Sequence, residues 1–299
     1  MISSLAELDE ALRRLDAAAA VSDDELRRAF GTFTMQFPSD LPADPDSPEY
    51  RARQFALYEW LHGRPYAVTN EVSQFDLDSA ANQPFPFHTR SAQTVGDQLI
   101  AIGYLIRTMN LPAGSRILEF GPGWGNTTMA LARMGHHVTA IDIEPNFVKL
   151  VAERARRKNL TVDSRQGDFA SIKQLDGPFD AVLFFECFHH CSDHQALIAG
   201  LDRVVAPGGQ VFFAGEPITD HFPVPWGLRP DGESLWAIRR HGWLELGFQE
   251  RYFRGLLTRF GWSVDKSVCG ELTGAHAGWG TVFTARRRVS SGETPASRR

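Results

Sequence analysis

The stretch RILEFGPGWGNTTMALARMGHHVTAIDIEP, residues 116–145, runs from an apolar burst through three alternate glycines into a helical pattern, then into a second apolar burst. Gly121, Gly123 and Gly125 let the backbone turn sharply and approach a ligand beside the free amides of a helix start. Short apolar bursts keep alternating with helical stretches as far as GQVFFAGE at 209–216. This alternation predicts right-handed βαβ units, and hence an α/β fold with a doubly wound, mostly parallel sheet.

The sequence before this stretch predicts helices. Ser4 with Glu7, and Ser22 with Glu25, have the spacing of capping boxes. RARQFALYEWLHG at 51–63 and the segment 91–111 have helical patterns, whereas the prolines of QPFPFHTR predict an extended segment. The predicted organisation is an N-terminal helical accessory region, the main domain with a lid insertion, and a disordered polar tail: residues 1–85, 86–286 (insertion 217–248) and 287–299. The accessory region is interpreted as a cap that packs on the main domain, and an independent binding module is the alternative.

The composition of the chain limits the classes of partner that it is expected to bind. The chain has 299 residues, a net charge of −5 and a pI near 6.1, which disfavours nucleic acid and leaves a small molecule as the expected partner. No uncharged apolar run reaches the ~18 residues that a membrane-spanning helix needs. Three cysteines and an N-terminus without an apolar leader indicate the cytoplasm.

Three residues limit the chemical class of ligand that the glycine turn can bind. The dinucleotide fingerprint needs a glycine at position 126, where Asn126 stands. Glu119 would place a negative charge beside a pyrophosphate. Asp142 ends the second apolar burst, from where its carboxylate can accept both hydroxyls of a ribose. These features favour an adenosine with a positively charged extension that lacks phosphate.

Five motifs resemble, in order and spacing, those of the class I S-adenosylmethionine-dependent methyltransferases: LEFGPGWGNTTMALA, VTAIDIEP, QGDF, FDAVLFFECFHH and LDRVVAPGGQVFFAGEP. The resemblance spans residues 90–286. It implies S-adenosylmethionine as the cofactor and a Rossmann-like sheet of seven strands in the order 3-2-1-4-5-7-6, with the seventh strand antiparallel. The site residues that it implies are Glu119, Gly121, Gly123 and Gly125 at the methionine part, Asp142 at the ribose, Ile143, Asp168 and Phe169 at the adenine, and Glu186 beside the transferred methyl. Asp142 and Asp168 could alternatively cap helices.

The segment ECFHHCSDH at 186–194 holds the candidates for catalysis. A hydroxyl acceptor gains from a general base, and His189 or His190 could act as one, with His190 preferred. Both histidines could instead pack the loop or support the cofactor. Cys187 and Cys191 lack the second cysteine pair of a structural zinc site, so no metal is predicted.

The insertion is predicted to form the acceptor pocket or its lid. Indole rings stack on sugars or aromatic rings, and guanidinium groups bind phosphate or carboxylate. The candidate substrate-binding residues are Trp226, Arg229, Trp236, Arg239, Arg240 and His241. Alternatively, the tryptophans pack the lid on the N-terminal helices and the arginines face water. Arg90, just before the long helix, could neutralise the carboxylate of the cofactor.

We therefore expect an enzyme that methylates a small molecule, most readily on a hydroxyl of a sugar, a glycan or another polar metabolite, including anionic ones, and that could form a homodimer. N- or C-methylation of a natural-product type acceptor is the variant of this hypothesis. A non-catalytic S-adenosylmethionine-binding scaffold and a nicotinamide-dependent oxidoreductase are the competing classes, and the glycine spacing disfavours the latter.

Overall fold

The main sheet combines five parallel strands with an antiparallel pair at one edge. In a computed structural model of the protein, residues 1–38, 40–71 and 73–288 are described. The strands are β1 Arg116–Phe120, β2 His137–Asp142, β3 Val162–Gln166, β4 Phe179–Phe185, β5 Val205–Ala214, β6 Trp226–Leu228, β7 Leu246–Phe248, β8 Trp262–Val268 and β9 Thr281–Arg287. Seven of them form one sheet in the order β3-β2-β1-β4-β5-β9-β8, while β6 and β7 form a separate antiparallel ribbon inside the insertion. When the two strands of that ribbon are left out of the numbering, the main sheet has the predicted strand order. Its last strand is antiparallel, which also confirms the prediction.

The central parallel strands β1 and β4 are largely apolar and buried because helices cover both faces of the sheet, whereas β3 at the edge is polar and half-exposed. Successive residues of β4 alternate between two cores: Phe184 belongs to one cluster and Leu183 to the other. The ring of Phe184 stacks between those of Phe120 and Phe213, with ring centroids 5.4 and 5.0 Å away. The sheet is therefore fixed by close aromatic packing directly beneath its carboxyl edge.

The helices are α1 Leu5–Val21, α2 Asp23–Phe30, α3 Pro48–His62, α4 Leu77–Asn82, α5 Ala92–Met109, α6 Asn126–Arg133, α7 Pro145–Arg157, α8 His194–Val204, α9 Gly232–His241 and α10 Glu250–Arg259. The capping box of Ser4 and Glu7 forms in full. At the second predicted box only half forms: the Ser22 hydroxyl accepts from the Glu25 amide at 3.1 Å, while the Glu25 carboxylate pairs with Arg28. No helix in the described ranges combines the length and the apolar character needed to cross a membrane.

The segment QPFPFHTR is not extended, contrary to the prediction. Phe87–Thr89 forms a turn of 3-10 helix that ends at Arg90, whose φ is 58°. The Thr89 hydroxyl donates to the carbonyl of Pro86 at 2.7 Å, and the Asn126 amide donates to that of Phe85 at 2.7 Å. These local and tertiary hydrogen bonds outweigh the preference of an isolated proline-rich segment for extended backbone.

The N-terminal helices share a core with the insertion. Leu8, Leu12 and Leu15 of α1 are fully or almost fully buried in the same cluster as Leu235 and Ile238 of α9. This packing favours the interpretation of the N-terminal region as a cap on the main domain. At the other end of the chain β9 runs to Arg287, and the predicted disordered tail lies outside the described residues from 289 onward.

If α1 is part of this core, Leu12→Ala should lower the free energy of unfolding by about 2–5 kcal/mol, because it leaves a cavity at a side chain that is 0% exposed. The matched control is Leu99→Ala, at a leucine that is 54% exposed, where the change should stay within about 0.5 kcal/mol. Urea denaturation of both variants measures the difference. Equal effects of the two substitutions would contradict a shared core.

Candidate functional site

The glycine turn after β1 has left-handed backbone at all three alternate glycines. The φ angles are 58° at Gly121, 50° at Gly123 and 74° at Gly125. A Cβ on Gly121 would lie 2.5 Å from the Cβ of Cys187, and one on Gly125 would lie 2.8 Å from Cγ2 of Val151. No described atom lies within 4 Å of a Cβ built on Gly123. Two of the glycines are thus required by packing, and Gly123 borders open space at the predicted position of the ligand.

Two buried acids flank this turn. Glu119 accepts a hydrogen bond from the Thr128 hydroxyl at 2.6 Å, and Asp142 accepts from the amides of Gly123 at 3.0 Å and Glu144 at 2.9 Å. Burial raises the pKa of Glu119 to about 7 and that of Asp142 to about 6. In the described part of the chain no basic side chain forms an ion pair with either. A ligand with positive charge and hydroxyl donors fits these acids, and each carboxylate keeps free lone pairs for it.

The predicted adenine-contacting residues lie at the same edge of the sheet. The Gly167 amide donates to the carbonyl of Asp142 at 2.9 Å, which holds the start of the segment after β3 against the end of β2. Asp168 is exposed and caps a 3-10 turn by accepting from the Ser171 amide at 3.1 Å. The ring of Phe169 packs on Phe120, 5.7 Å away between centroids. Ile143, half-buried, directly follows Asp142. The sheet thus brings together the residues predicted for the cofactor.

A cover of aromatic rings over the glycine turn was not predicted from the sequence. Trp124, between the second and third glycines, packs against Phe75 at 5.1 Å, Phe147 at 5.3 Å and His88 at 5.6 Å between ring centroids. Asn126 anchors this cover, because its amide donates to the carbonyl of Phe85. The residue that departs from the dinucleotide pattern therefore connects the turn to the N-terminal region.

The loop after β4 is organised by one carboxylate that sequence reasoning missed. Glu216 accepts hydrogen bonds from the backbone amides of Cys187 at 2.9 Å, Phe188 at 2.8 Å and His189 at 3.0 Å, and from Nδ1 of His189 at 2.8 Å. Burial opposes its charge, but His189 and these amides hold the pKa of Glu216 below its ordinary value. The available signal was an acid directly after the fifth strand, opposite the loop that carries the histidines.

Glu186 starts this loop in a conformation that is rare for residues other than glycine. Its φ is 53°, and left-handed backbone costs about 1–2 kcal/mol at a non-glycine residue. Burial, with the nearby Glu233, raises the pKa of Glu186 to about 8. Strain of this kind concentrates at functional sites, and here it turns the chain at the carboxyl edge of the sheet.

The pKa values of the two histidines are shifted in opposite directions. Burial lowers the pKa of His189, but Glu216 outweighs this effect and raises it above the ordinary value. Burial and the neighbouring His189 lower the pKa of His190 to about 4, so His190 is neutral at neutral pH. The rings lie 4.2 Å apart between centroids. Nε2 of His189 lies 3.6 Å from Oε2 of Glu245, and Nδ1 of His190 lies 3.9 Å from Oε2 of Glu71.

Most predicted substrate-binding residues of the insertion contact the N-terminal region. Nε1 of Trp226 donates to the carbonyl of Pro45 at 2.7 Å, and Nε1 of Trp236 donates to Asp16 at 3.0 Å. Arg239 binds Asp9 and donates to the carbonyl of Leu61 at 2.9 Å, and Arg240 donates to Asp16 at 3.1 Å. For the tryptophans these contacts favour the packing alternative. Both arginines pair with acids. Arg240 is also exposed to water, as the packing alternative expected, whereas Arg239 is half-buried.

The remaining two differ from this pattern. Arg229 lies next to the histidine loop, where its Nε donates to Asp231 at 2.9 Å and its Nη1 lies 3.4 Å from Glu245. His241 is exposed and stacks on Trp243, with centroids 4.6 Å apart. Of the predicted substrate residues, Arg229 is the one that the fold brings to the predicted catalytic residues. Arg90 is exposed.

Comparison with known proteins identifies the domain that carries this site. Residues 118–213 match the family model of a methyltransferase domain. A ubiquinone biosynthesis O-methyltransferase of Xylella fastidiosa (strain M23) is 32% identical over 114 residues, which cover 38% of this chain and 46% of that relative. One from Xanthomonas axonopodis pv. citri (strain 306) is 35% identical over 104 residues, or 34% of this chain and 44% of the relative. The chain therefore matches less than half of the length of these relatives.

Two solved structures agree in fold. The cyclase SpnF has a TM-score of 0.50 at 19% identity, covering 85% of this chain and 100% of that one. A chain of the complex between the Haloferax volcanii Trm112 methyltransferase activator and a methyltransferase has a TM-score of 0.52 at 16% identity, covering 71% and 97%. The match to a methyltransferase domain over residues 118–213 and the shared fold agree with the resemblance of the five motifs to the class I S-adenosylmethionine-dependent methyltransferases, a family whose cofactor is S-adenosylmethionine.

The glycines offer a matched pair of substitutions. Gly121→Ala should lower the free energy of unfolding by more than the ~1–2 kcal/mol of left-handed strain, because its Cβ would also meet Cys187. Gly123→Ala has the same strain but open space, so its main effect should be weaker binding of S-adenosylhomocysteine. Urea denaturation and calorimetric titration separate the two effects. Unaltered ligand affinity in Gly123→Ala would contradict a cofactor at this turn.

The raised pKa of Asp142 predicts how the free energy of unfolding depends on pH. Its folded pKa is raised, so the folded state holds this proton more tightly than the unfolded state, and the contribution to stability is lost as pH rises from about 4 to about 6. Asp142→Asn cannot ionise and should escape this loss. Between about pH 4 and pH 7, the unfolding free energy of the variant should therefore gain up to about 3 kcal/mol relative to that of the natural protein. Parallel pH profiles of the two proteins would show that Asp142 does not titrate in this range.

Proposed function

We propose that the protein transfers the methyl group of S-adenosylmethionine to a hydroxyl of a small molecule. The observation that carries this proposal is the pair of buried acids, Glu119 and Asp142, on either side of a turn that borders open space at Gly123. A doubly acidic, buried site suits an adenosyl ligand that carries positive charge. When bound, S-adenosylmethionine supplies an electrophilic methyl group.

The site residues have separate roles in the proposed reaction. Glu119 binds the amino-acid end of the cofactor and Asp142 accepts the ribose hydroxyls, while Ile143, Asp168 and Phe169 hold the adenine. His190 takes the proton of the acceptor hydroxyl. It is neutral at neutral pH and lies in the loop that Glu186 starts at the end of β4. His189 is held by Glu216 and orients its neighbour. Glu186, largely protonated at neutral pH, can donate a hydrogen bond at the methyl position.

For the acceptor we favour a hydroxyl on an aromatic ring. The arginines that suggested an anionic or sugar acceptor pair with acids, and the acid nearest the methyl position lies among flat apolar side chains. Glu186 lies beside Trp279, whose cluster also includes Phe85 and Phe185. The named activity of the relatives, O-methylation in ubiquinone biosynthesis, supports oxygen as the methylated atom. Sugar, glycan and amine acceptors remain the alternatives, as does a non-catalytic scaffold, and a homodimer and a cytoplasmic location remain predictions.

Turnover with a panel of acceptors tests the proposal. The full chain should bind S-adenosylmethionine and release S-adenosylhomocysteine with phenols or catechols, and not with sugars or amines of similar size. Turnover with a sugar alone would correct the acceptor class, and absence of turnover with all classes despite cofactor binding would favour the scaffold.

The base is tested separately. His190→Ala should lower kcat by about 100-fold or more, because a general base contributes about 10²–10⁴ to the rate, and should leave the affinity for S-adenosylmethionine unchanged. The matched control is His137→Ala, at an exposed histidine at the opposite, amino-terminal end of β2, which should keep normal turnover. Near-normal kcat in His190→Ala would remove this residue from the mechanism.

A further inference from the structure

We propose that His189, His190 and Glu245 form a binding site for a divalent first-row metal ion of the zinc and cobalt class. One ligand atom of each of these side chains lies within 4.8 Å of those of the other two. The group joins the loop after β4 to the insertion, because Glu245 directly precedes β7. This proposal departs from the expectation of no metal, which considered only ligands within the loop after β4 and therefore could not include Glu245.

The distances are close to those of a metal site. Zinc lies about 2.0–2.2 Å from nitrogen and oxygen ligands, so two ligands of a tetrahedral ion are about 3.4 Å apart. His189 Nε2 and Glu245 Oε2, 3.6 Å apart, are already close to this separation. The group as a whole needs a contraction of up to about 1.4 Å, which rotations of the three side chains would have to supply.

His189 is oriented for this role. Because the Glu216 carboxylate can only accept hydrogen bonds, the proton of the neutral imidazole lies on Nδ1, and Nε2 faces Glu245 with its lone pair. A carboxylate behind a histidine ligand is the usual second layer of zinc sites, where it fixes the tautomer and raises the basicity of the ligand. The four hydrogen bonds to Glu216 also hold the backbone of His189, so the ligand is fixed before any metal binds.

The charged side chains around this group favour the binding of a cation. Glu71, Glu216 and Glu245 face the two imidazoles, and Arg229 is the cation that contacts this group, but it also pairs with Asp231 and Glu233. Nδ1 of His190 is buried and has no hydrogen-bond partner in the described ranges. A dication between the imidazoles and Glu245 would compensate the excess negative charge.

The ligands define the class of metal. Two imidazoles with one carboxylate suit zinc, cobalt, nickel or iron, whereas magnesium prefers oxygen ligands alone. Three protein ligands leave coordination positions open, as in catalytic zinc sites. If the proposed function holds, an acceptor hydroxyl could occupy such a position, where the metal would lower its pKa. In the metal-loaded protein His190 is then a ligand, and it acts as the base only in the metal-free protein.

Cobalt titration of the full chain, stripped of metal with a chelator, tests the site without cofactor or acceptor. We expect one Co²⁺ per chain, with visible absorption bands of a nitrogen and oxygen environment and no sulfur-to-cobalt charge-transfer band. Glu245→Gln and His190→Ala should each weaken Co²⁺ binding by at least the roughly 10–100-fold that loss of a second-layer group costs. The matched control is Glu233→Gln, which removes another carboxylate beside Arg229 and should leave Co²⁺ affinity unchanged.

The outcomes separate this proposal from the proposed function. Circular dichroism and S-adenosylhomocysteine affinity establish that each variant is folded. No stoichiometric binding, a sulfur-to-cobalt band from Cys187 or Cys191, or equal affinities in all variants would overturn the metal site and leave methyl transfer intact. Full Co²⁺ binding without S-adenosylmethionine binding would overturn the methyltransferase proposal and leave the metal site intact.

Discussion

The site depends on the carboxylate of Glu216, which accepts four hydrogen bonds at the end of β5. Three of its donors are consecutive backbone amides, so this one side chain sets the path of the loop after β4. The loop in turn packs on the glycine turn, since Cys187 touches Gly121 and its thiol donates to the carbonyl of Phe120 at 3.0 Å. The turn after β1 and the histidines after β4 are therefore parts of one connected unit.

Buried acids are the second constraint. Glu71, Glu119, Asp142 and Glu186 all have raised pKa values with burial as the first cause. Ionising such groups away from water costs free energy that a packed apolar side chain would not cost. Glu119, Asp142 and Glu186 lie at the carboxyl edge of the parallel sheet, and Glu71 lies beside His190. In the proposed site, a ligand with positive charge would offset this cost.

The sequence sufficed for what local patterns and neighbouring strands determine. Apolar bursts located the strands, Gly121, Gly123 and Gly125 located the turn, and the family resemblance supplied the strand order. Partners far apart in the chain could not be predicted. Glu71 and Glu245 come near His190 and His189 only in the folded protein, and Arg239 and Arg240 of the insertion pair with Asp9 and Asp16 of the N-terminal helix. QPFPFHTR was mispredicted for the same reason, because Asn126, 41 residues from Phe85, fixes its conformation.

The shared core of α1 and α9 has a consequence for biosynthesis. Trp236 and Asp16, which join these helices, are separated by 220 residues. At a translation rate of ~5–20 residues per second, Leu8, Leu12 and Leu15 wait roughly 10–40 s on the ribosome before Leu235 and Ile238 emerge. During that interval the apolar stripe of a nascent helix is open to other chains and to chaperones. Helix α1 can therefore pack on α2 early, but it reaches its partners in α9 only late in synthesis.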